Sequence, residues 1–493
     1  DGLGDSANPR KSFQIDRSNE RMSVLDSKQR PEPSTVMAMS TGSPTLSMAE
    51  FVIAGKPPVE ARRRAAIAVC DTVGVILAGA PEAAADIIRR TIVAEARGHC
   101  RVLGTGVCAS ASDAALANGV AAHAHDYDDM CFVSMAHPSC ALVPSILATG
   151  ELVRASGNAV LDAYIVGFEI ECRLGLVMNP RHYHERGWHS TSSIGTLGAA
   201  AAAARMLGLD APSTVHALGI AASLACGVKE NLGSMVKPLH AGMAARNGIM
   251  AAQLAKAGFV ASKRSIDGPQ GYLAAMDSQN PPAALTDAIA DLGSRWEILE
   301  TGITVKLYPS CAATHPALDA LLALKDKHKF TTEDIAGIDV EADSMASRLL
   351  TYGRPSTALE AKFSMPFCAA AAIVFGHPTI ETFDAERIRD PRIQKLLPVV
   401  TLRANSAFDA STPLSQAAVS VRLNDGRTIS ARADGARGYP GRLTDNELNT
   451  KFLTCAQRSL NHGAAVEALE GVRAIETTLD IRVLTQLCSE GLV

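Results

Sequence analysis

The stretch TSSIGTLGAAAAAARMLGLD, residues 191–210, contains six consecutive alanines and only two charged residues. Alanine has the highest helix propensity of the amino acids, and its small side chain allows helices to pack closely. The serines and threonine that open the stretch are typical of helix N-termini. A helix that is apolar almost all round is typical of the interior of a multi-layer bundle. This stretch therefore predicts a buried helix within a mostly helical protein.

Similar helical blocks follow one another from about residue 45 to 300 and return beyond about 445. One of them, PVEARRRAAIAVCDTVGVILAG, begins with proline and ends with glycine, as helices commonly do. A chain of 493 residues is too long for one ordinary core. We interpret 45–300 and 436–493 as one large all-helical domain, built from both ends of the chain.

The intervening segment, 301–435, has a different character. GITVKLYP (302–309) and IAGIDVEAD (335–343) are typical of strands, and HPALDALLALKDKH (315–328) between them predicts a helix. QAAVSVRLNDGRTISARA (416–433) alternates around Asp425-Gly426, which is a strong hairpin signal. We therefore predict an inserted, smaller α+β lid domain over 301–435.

Composition and missing motifs exclude several classes of function. A net charge of −4 leaves no basic footprint for nucleic acid. Eleven scattered cysteines without a C-x-x-C pair indicate reduced thiols in a cytosol-like compartment and disfavour an iron–sulfur cluster. No phosphate-binding, dinucleotide-binding or nucleophile-elbow motif occurs. No apolar run is long and uniform enough to span a membrane, so we expect a cytoplasmic protein without membrane or nucleic-acid partners. Residues 1–44 are polar and are interpreted as a flexible leader.

The first chemically unusual stretch is HAHDYDDM, residues 123–130, followed by AHPS at 136–139. It places six titratable groups at the end of an apolar helix: His123, His125, Asp126, Asp128, Asp129 and His137. Such a cluster is compatible with a solvated loop whose aspartates cap the next helix, with a metal site, or with acid and base groups. The zinc-binding motif H-E-x-x-H is absent, which disfavours the metal.

Two further stretches combine basic side chains with predicted helix starts. RHYHERGWHSTSSIG (181–195) places His189 where helix-terminal amides hold an anion, although an ordinary loop fits the same pattern. In GSMVKPLHAGMAARNG (233–248), Pro238 predicts the first helical position. Lys237 would then lie beside free N–H groups and suit a carboxylate, unless it is an ordinary surface lysine.

Taken with KLYPSCAATHP (306–316) and TYGRPSTALEAKFSMPFCAAAAIV (351–374), these stretches resemble the MmgE/PrpD family over about 45–490. The family includes cis-aconitate decarboxylases, 2-methylcitrate dehydratases and iminodisuccinate epimerases. The resemblance implies a homodimer with a helical domain and an α+β lid, no cofactor, no metal, and a pocket between the domains for small di- or tricarboxylates. The nearly all-apolar helices of 157–226 have more buried surface than one small bundle needs, which is compatible with a dimer.

The resemblance also implies the site residues. Its catalytic set is Asp126, His137, His189, Lys237 and the lid residue Tyr352, and its substrate-binding set is Met130, Ser190, His240, Cys311 and Lys362. Two of these depart from the decarboxylase pattern, because Met130 stands where a threonine is expected and Cys311 where a lid histidine is expected.

The expected function is a cofactor-independent lyase that acts on a tricarboxylate, such as cis-aconitate or 2-methylcitrate, by histidine-mediated proton transfer. We expect His137 to be the general acid/base, with Asp126 orienting its ring and favouring the imidazolium, and His123 and His182 to be peripheral. The alternatives are an epimerase of an aminodicarboxylate such as iminodisuccinate and a catalytically silent carboxylate-binding homologue.

Overall fold

Helices dominate the computed structural model of the protein, which describes residues 43–95, 97–276, 281–411 and 415–493. The predicted leader lies outside the described residues except for its last two positions. The helices before residue 300 are α1 (Pro44–Ala54), α2 (Val59–Gly79), α3 (Ala83–Thr91), α4 (Ala111–His123), α5 (Ser139–Val153), α6 (Gly157–Met178), α7 (Arg181–His184), α8 (Ser190–Met206), α9 (Ala211–Leu224), α10 (Val236–Lys256), α11 (Tyr272–Ala275) and α12 (Pro281–Ile289). Those after residue 300 are α13 (His315–His328), α14 (Ser344–Leu349), α15 (Ala358–Lys362), α16 (Met365–Phe375), α17 (Ala385–Ile388), α18 (Pro391–Leu396), α19 (Asp445–Ala456), α20 (His462–Arg473) and α21 (Ile481–Leu487).

The larger of two small sheets lies in the segment predicted to be α+β. Its strands are β3 (Ile335–Ala342), β4 (Val400–Ala404), β5 (Ala417–Leu423) and β6 (Thr428–Ala433), in the order β4-β3-β5-β6. β3 is parallel to β4 and antiparallel to β5. The other sheet pairs β1 (Cys100–Arg101) with β2 (Cys108–Ala109).

The predicted hairpin is confirmed, because β5 and β6 pair on either side of Asp425-Gly426. Gly426 has a φ of +88°, a conformation that favours glycine. The predicted strand at 302–309 is wrong. That segment makes only an isolated bridge, in which the amides of Thr304 and Met130 each donate to the other's carbonyl oxygen. The amide of Val305 donates instead to the carbonyl oxygen of Gly438. Since its backbone partners change from residue to residue, no strand ladder forms.

The alanine-rich stretch forms α8, in which every residue from Ser190 to Ala204 is buried. α10 packs against both α8 and α4. A methyl group at Gly248 of α10 would lie 2.5 Å from the Cβ of Ala199, and one at Gly119 of α4 would lie 2.7 Å from the Cα of Gly242. Glycine and alanine are thus required where these helices approach.

Most of α6 and nearly all of α8 are buried within a single chain. This burial within one chain gives no support for a partner, and the dimer stays a prediction. Among the described residues no single helix is both long and apolar enough to cross a membrane. Of the helix pairs in this part of the chain, only α2 with α3 is long and apolar enough in combination to cross a membrane, and this pair is bent by 80° at the break between its helices.

The two largest of three hydrophobic clusters among the described residues form the cores. One draws on residues 48–303 and 448–488, and the other on residues 308–423. The mostly α fold with a small α+β region is thereby confirmed. The boundaries proposed at 300 and 435 stay predictions.

Candidate active site

The segment after α4 is folded inward. Asp126, Asp128 and Asp129 are each at most 5% exposed, which excludes a solvated loop. Asp126 adopts a φ of +54°, a left-handed conformation that few side chains other than asparagine and aspartate tolerate. Charges buried in this way require partners, because an isolated carboxylate is strongly destabilised away from water.

Buried lysines hold the backbone of this segment. Three of them, from separate parts of the chain, donate hydrogen bonds to three successive carbonyl oxygens: Lys362 to His125 (2.5 Å), Lys306 to Asp126 (2.9 Å) and Lys451 to Tyr127 (2.7 Å). Each bond joins residues at least 180 positions apart in the chain. The aspartate segment is therefore positioned by the tertiary fold rather than by its own turn.

The Asp126 carboxylate lies between two ammonium groups. Lys237 forms a very short ion pair with its Oδ1, and Lys306 Nζ lies 3.1 Å from the same oxygen. Burial opposes ionisation, but Lys237 and Lys306 outweigh it and hold the pKa of Asp126 well below its usual range. Burial likewise opposes the charge of Lys237, and Asp126 with Asp128 reverses this and raises its pKa. Asp126 and Lys237 are therefore both ionised at neutral pH.

Lys237 reaches this position from the first turn of α10. The helix begins at Val236, so the expectation that Pro238 occupies the first helical position is wrong by two residues. Proline is still tolerated there, because the first N–H groups of a helix have no partner within it.

His137 lies opposite this cluster and is uncharged. Its Nδ1–H donates to the carbonyl oxygen of Asp129 at 2.8 Å, so the neutral ring carries its lone pair on Nε2, 3.9 Å from Asp126 Oδ1. Burial, followed by the charge of Lys306, holds the pKa of His137 well below its usual value. The expectation that Asp126 favours the imidazolium is therefore wrong, since the neighbouring lysines already neutralise that carboxylate.

His123 lies within the cluster, and its assignment as peripheral to catalysis stays a prediction. Its ring centroid lies 4.7 Å from that of His137 and 5.9 Å from that of His189, and its Nδ1–H donates to Asp128 at 2.8 Å. Among the described residues, neither His123 nor His182 lines the cavity, and His182 is instead bonded to a serine hydroxyl.

His189 caps the start of α8 and pairs with His240, their Nδ1 atoms being 3.1 Å apart. One of the two nitrogens must donate and the other accept. Burial, then the charges of His123 and Lys237, holds the pKa of His189 well below its usual value, and burial lowers that of His240 to about 4. Both rings are therefore neutral at pH 7.

A cavity of about 390 Å³ opens onto these groups. Six of the predicted residues line it: Asp126, Met130, His137, His189, Lys237 and Cys311. The other four do not belong to the lining among the described residues: Ser190, His240, Lys362 and Tyr352. The first three of these are buried directly behind lining or cluster residues. Tyr352 is 41% exposed, and its assignment as a lid group stays a prediction.

The sequence-based site omitted Lys306, which lines the cavity and contacts Asp126. Its only signal is a lone lysine inside the apolar run GITVKLYP. Cys311 also lines the cavity, and burial, then Asp126, raises the pKa of its thiol to about 11. The thiol therefore stays protonated and acts as a weak hydrogen-bond donor rather than a nucleophile.

The same groups also resemble a metal site, because ligand atoms of His123, Asp126, Asp128 and His137 all lie within 4.8 Å of one another. The electrostatics favour an anion instead. Lys237 and Lys306 both contact Asp126, so a cation there would face two ammonium groups at short range. The residues present thus fit a carboxylate ligand better than a metal ion.

Comparison with known proteins gives matches over both parts of the chain. The MmgE/PrpD N-terminal domain matches residues 47–285 and the MmgE/PrpD C-terminal domain matches residues 308–477. A Mus musculus cis-aconitate decarboxylase is 30% identical over 385 residues, covering 76% of this chain and 78% of its own. A cis-aconitate decarboxylase-like protein of Aspergillus oryzae is 28% identical over 80% of this chain and 86% of its own, and a cis-aconitate decarboxylase of Aspergillus terreus is 26% identical over 81% and 86%. With both domains matched in order, the chain belongs to the MmgE/PrpD family.

Proposed function

We propose that this protein is a cofactor-independent lyase that decarboxylates a small tricarboxylate of the cis-aconitate type. The observation that carries the proposal is a cavity in which two buried ammonium groups lie beside uncharged histidines. Ammonium groups bind carboxylates, and histidine transfers protons near neutral pH. Relatives that are named cis-aconitate decarboxylases support the same substrate class.

When the substrate binds, a histidine takes up from solvent the proton that the reaction consumes. The lining carries no net charge while its histidines are neutral, because three aspartates offset two lysines and one arginine. A substrate with three carboxylates adds excess negative charge, which favours the imidazolium form of His137 and His189. The neutral histidines of the free protein are thus the form that takes up a proton when the substrate enters.

The reaction balances with one proton for each CO2 released. The bond to the carboxylate on the methylene arm breaks, and its electron pair forms a new terminal double bond. The electron pair of the original double bond moves at the same time onto the carbon beside a second carboxylate, where it forms a C–H bond with a proton from His137 Nε2. Lys237 and Lys306 bind the carboxylates and stabilise the enolate-like charge. His189 serves as the second proton-transfer or oxyanion-stabilising group.

The test is CO2 release from cis-aconitate by the purified full chain with EDTA present. We expect release that EDTA does not diminish, and loss of activity with EDTA would restore the metal interpretation. Dehydration of 2-methylcitrate is followed by double-bond absorbance and epimerisation of iminodisuccinate by optical rotation. Either activity without CO2 release refutes the decarboxylase. Binding without turnover of any substrate identifies a silent homologue.

The family resemblance also leads us to propose a homodimer. Phe259 and Val260, directly after α10, are 58% and 70% exposed, and adjacent exposed apolar side chains mark association surfaces. Light scattering at micromolar concentration should give twice the mass of one chain, and the double variant Phe259→Ser/Val260→Ser should dissociate. A wild-type chain that is monomeric under these conditions contradicts the dimer.

A further inference from the structure

The cavity is larger than a six-carbon tricarboxylate requires. Its volume is about 390 Å³. A tricarboxylate of twelve non-hydrogen atoms occupies about 170 Å³ at the packing density of a protein interior, about 0.75. More than half of the cavity is therefore left for another part of the substrate.

Large apolar side chains line the cavity on two sides. Met130, Phe132 and Met135 follow the aspartate segment, and Met345 and Leu349 come from α14. The last two are four residues apart, so they lie on the same face of the helix. All five are only partly buried in the protein, in contrast to the fully packed cores. We call these five residues the apolar wall.

The two carboxylates beside the apolar wall already accept hydrogen bonds within the protein. Asp343 accepts from the amide of Ala346, and Asp409 accepts from both the amide and the hydroxyl of Ser344. Arg348 is exposed, and its charge faces that of Asp409, whose pKa it lowers after the Ser344 hydrogen bonds. The carboxylates of Asp343 and Asp409 on this side of the cavity repel a further carboxylate of the substrate, whereas the apolar wall suits a hydrocarbon.

We propose that the apolar wall binds a linear alkyl substituent on the substrate, so that the protein prefers an alkyl-substituted tricarboxylate to cis-aconitate itself. The inference rests on the proposed function, because the reacting carboxylates are held by Lys237 and Lys306. The remaining volume accommodates an alkyl chain of about four to six carbons at interior packing density. Three of the wall residues are methionine or phenylalanine neighbours of the aspartates, and methionine adapts its shape to flexible chains.

Binding of saturated dicarboxylates tests the apolar wall independently of catalysis. Calorimetry on the full chain compares succinate, butylsuccinate and hexylsuccinate. Each buried methylene should lower Kd about threefold to fourfold, so butylsuccinate should bind about 100-fold more tightly than succinate. Kd values that agree within about threefold across the series would overturn the proposal.

Kinetics test the preference and locate it on the wall. The quantity is the ratio of kcat/KM for butyl-substituted cis-aconitate to kcat/KM for cis-aconitate. Met345→Ser and, separately, Leu349→Ser should each lower this ratio at least about tenfold. Leu479→Ser makes the same change at a position that is 89% exposed, and it should leave the ratio unchanged. Circular dichroism checks that each variant is folded. If one of the two wall variants fails to fold, the other still tests the prediction.

The two proposals fail in different ways. CO2 release from cis-aconitate with a flat alkyl series overturns the alkyl preference and leaves the decarboxylase intact. Tighter binding of alkylsuccinates with no CO2 release from any tricarboxylate overturns the decarboxylase and leaves the apolar wall as a ligand site. A ratio that falls equally in the Leu479→Ser control shows that the wall is not responsible, and refutes the assignment.

Discussion

Replacing Asp126 with asparagine removes the negative charge between two buried ammonium groups. Lys237 and Lys306 both contact Oδ1 of Asp126 and are at most 5% exposed. Removing one partner of a buried ion pair costs about 3–5 kcal/mol, because the remaining charge is left uncompensated. Asparagine preserves the size of the side chain, so the loss reports charge rather than packing. We expect the free energy of unfolding, measured by urea titration at pH 7, to fall by about 3 kcal/mol or more.

The pH dependence of this loss has a defined sign. The folded-state pKa of Asp126 lies well below the unfolded value of 3.8. Its ionised form therefore contributes stability above that value, and the contribution is lost as the pH falls through the folded-state pKa. The difference between wild type and Asp126→Asn should be constant from about pH 5 to about pH 7 and should narrow below about pH 4.

Activity should respond differently from stability. In the variant the substrate carboxylates supply the missing negative charge, so KM for cis-aconitate should not rise. The kcat for CO2 release should fall at least about 100-fold, because the two ammonium groups lose the carboxylate that orients them opposite His137. The control is Asp162→Asn, which breaks a partly exposed pair with Arg62 and should cost at most about 1 kcal/mol. A loss of stability no larger than in this control, or a raised KM with unchanged kcat, would refute the reasoning.

Three further predictions concern the histidines and a second buried ion pair. His137→Ala and His189→Ala should each lower kcat by about 10²–10⁴-fold with unchanged circular dichroism, and full activity in either variant contradicts its role in proton transfer. Because both histidines have folded-state pKa values below 6.5, the unfolded chain binds protons that the folded chain rejects, so the unfolding free energy of wild type relative to that of His137→Ala or His189→Ala should decrease as the pH falls below 6.5, and a difference that stays flat in urea titrations contradicts this. Lys451→Met should cost about 3 kcal/mol or more, because it leaves Asp71 unpaired and removes the hydrogen bond to the carbonyl oxygen of Tyr127; the double variant Asp71→Leu/Lys451→Met should recover only the part due to the unpaired carboxylate, and a double variant no more stable than Lys451→Met contradicts this.

Local patterns were sufficient to predict most of the fold. The six alanines of α8 predict a helix because alanine loses little entropy in one, and their lack of polarity predicts burial. The helix at 315–328 and the hairpin at Asp425-Gly426 likewise follow from short-range periodicity and turn chemistry. The segment 302–309 has the same apolar character as a strand, yet its backbone partners lie far away in the chain, so its conformation cannot be predicted locally.

The candidate site divides in the same way. The sequence alone was sufficient to predict Asp126, His137 and Lys237 as site residues, because their residue types and motifs are local features of the chain. Only the tertiary structure decided that Lys306, 180 residues from Asp126, contacts the same carboxylate. It also decided that His123 lies against the cluster and that His137, His189 and His240 are neutral. The physical reason is that protonation depends on burial and on charges within a few ångströms, and both arise from contacts between segments that are distant in the chain.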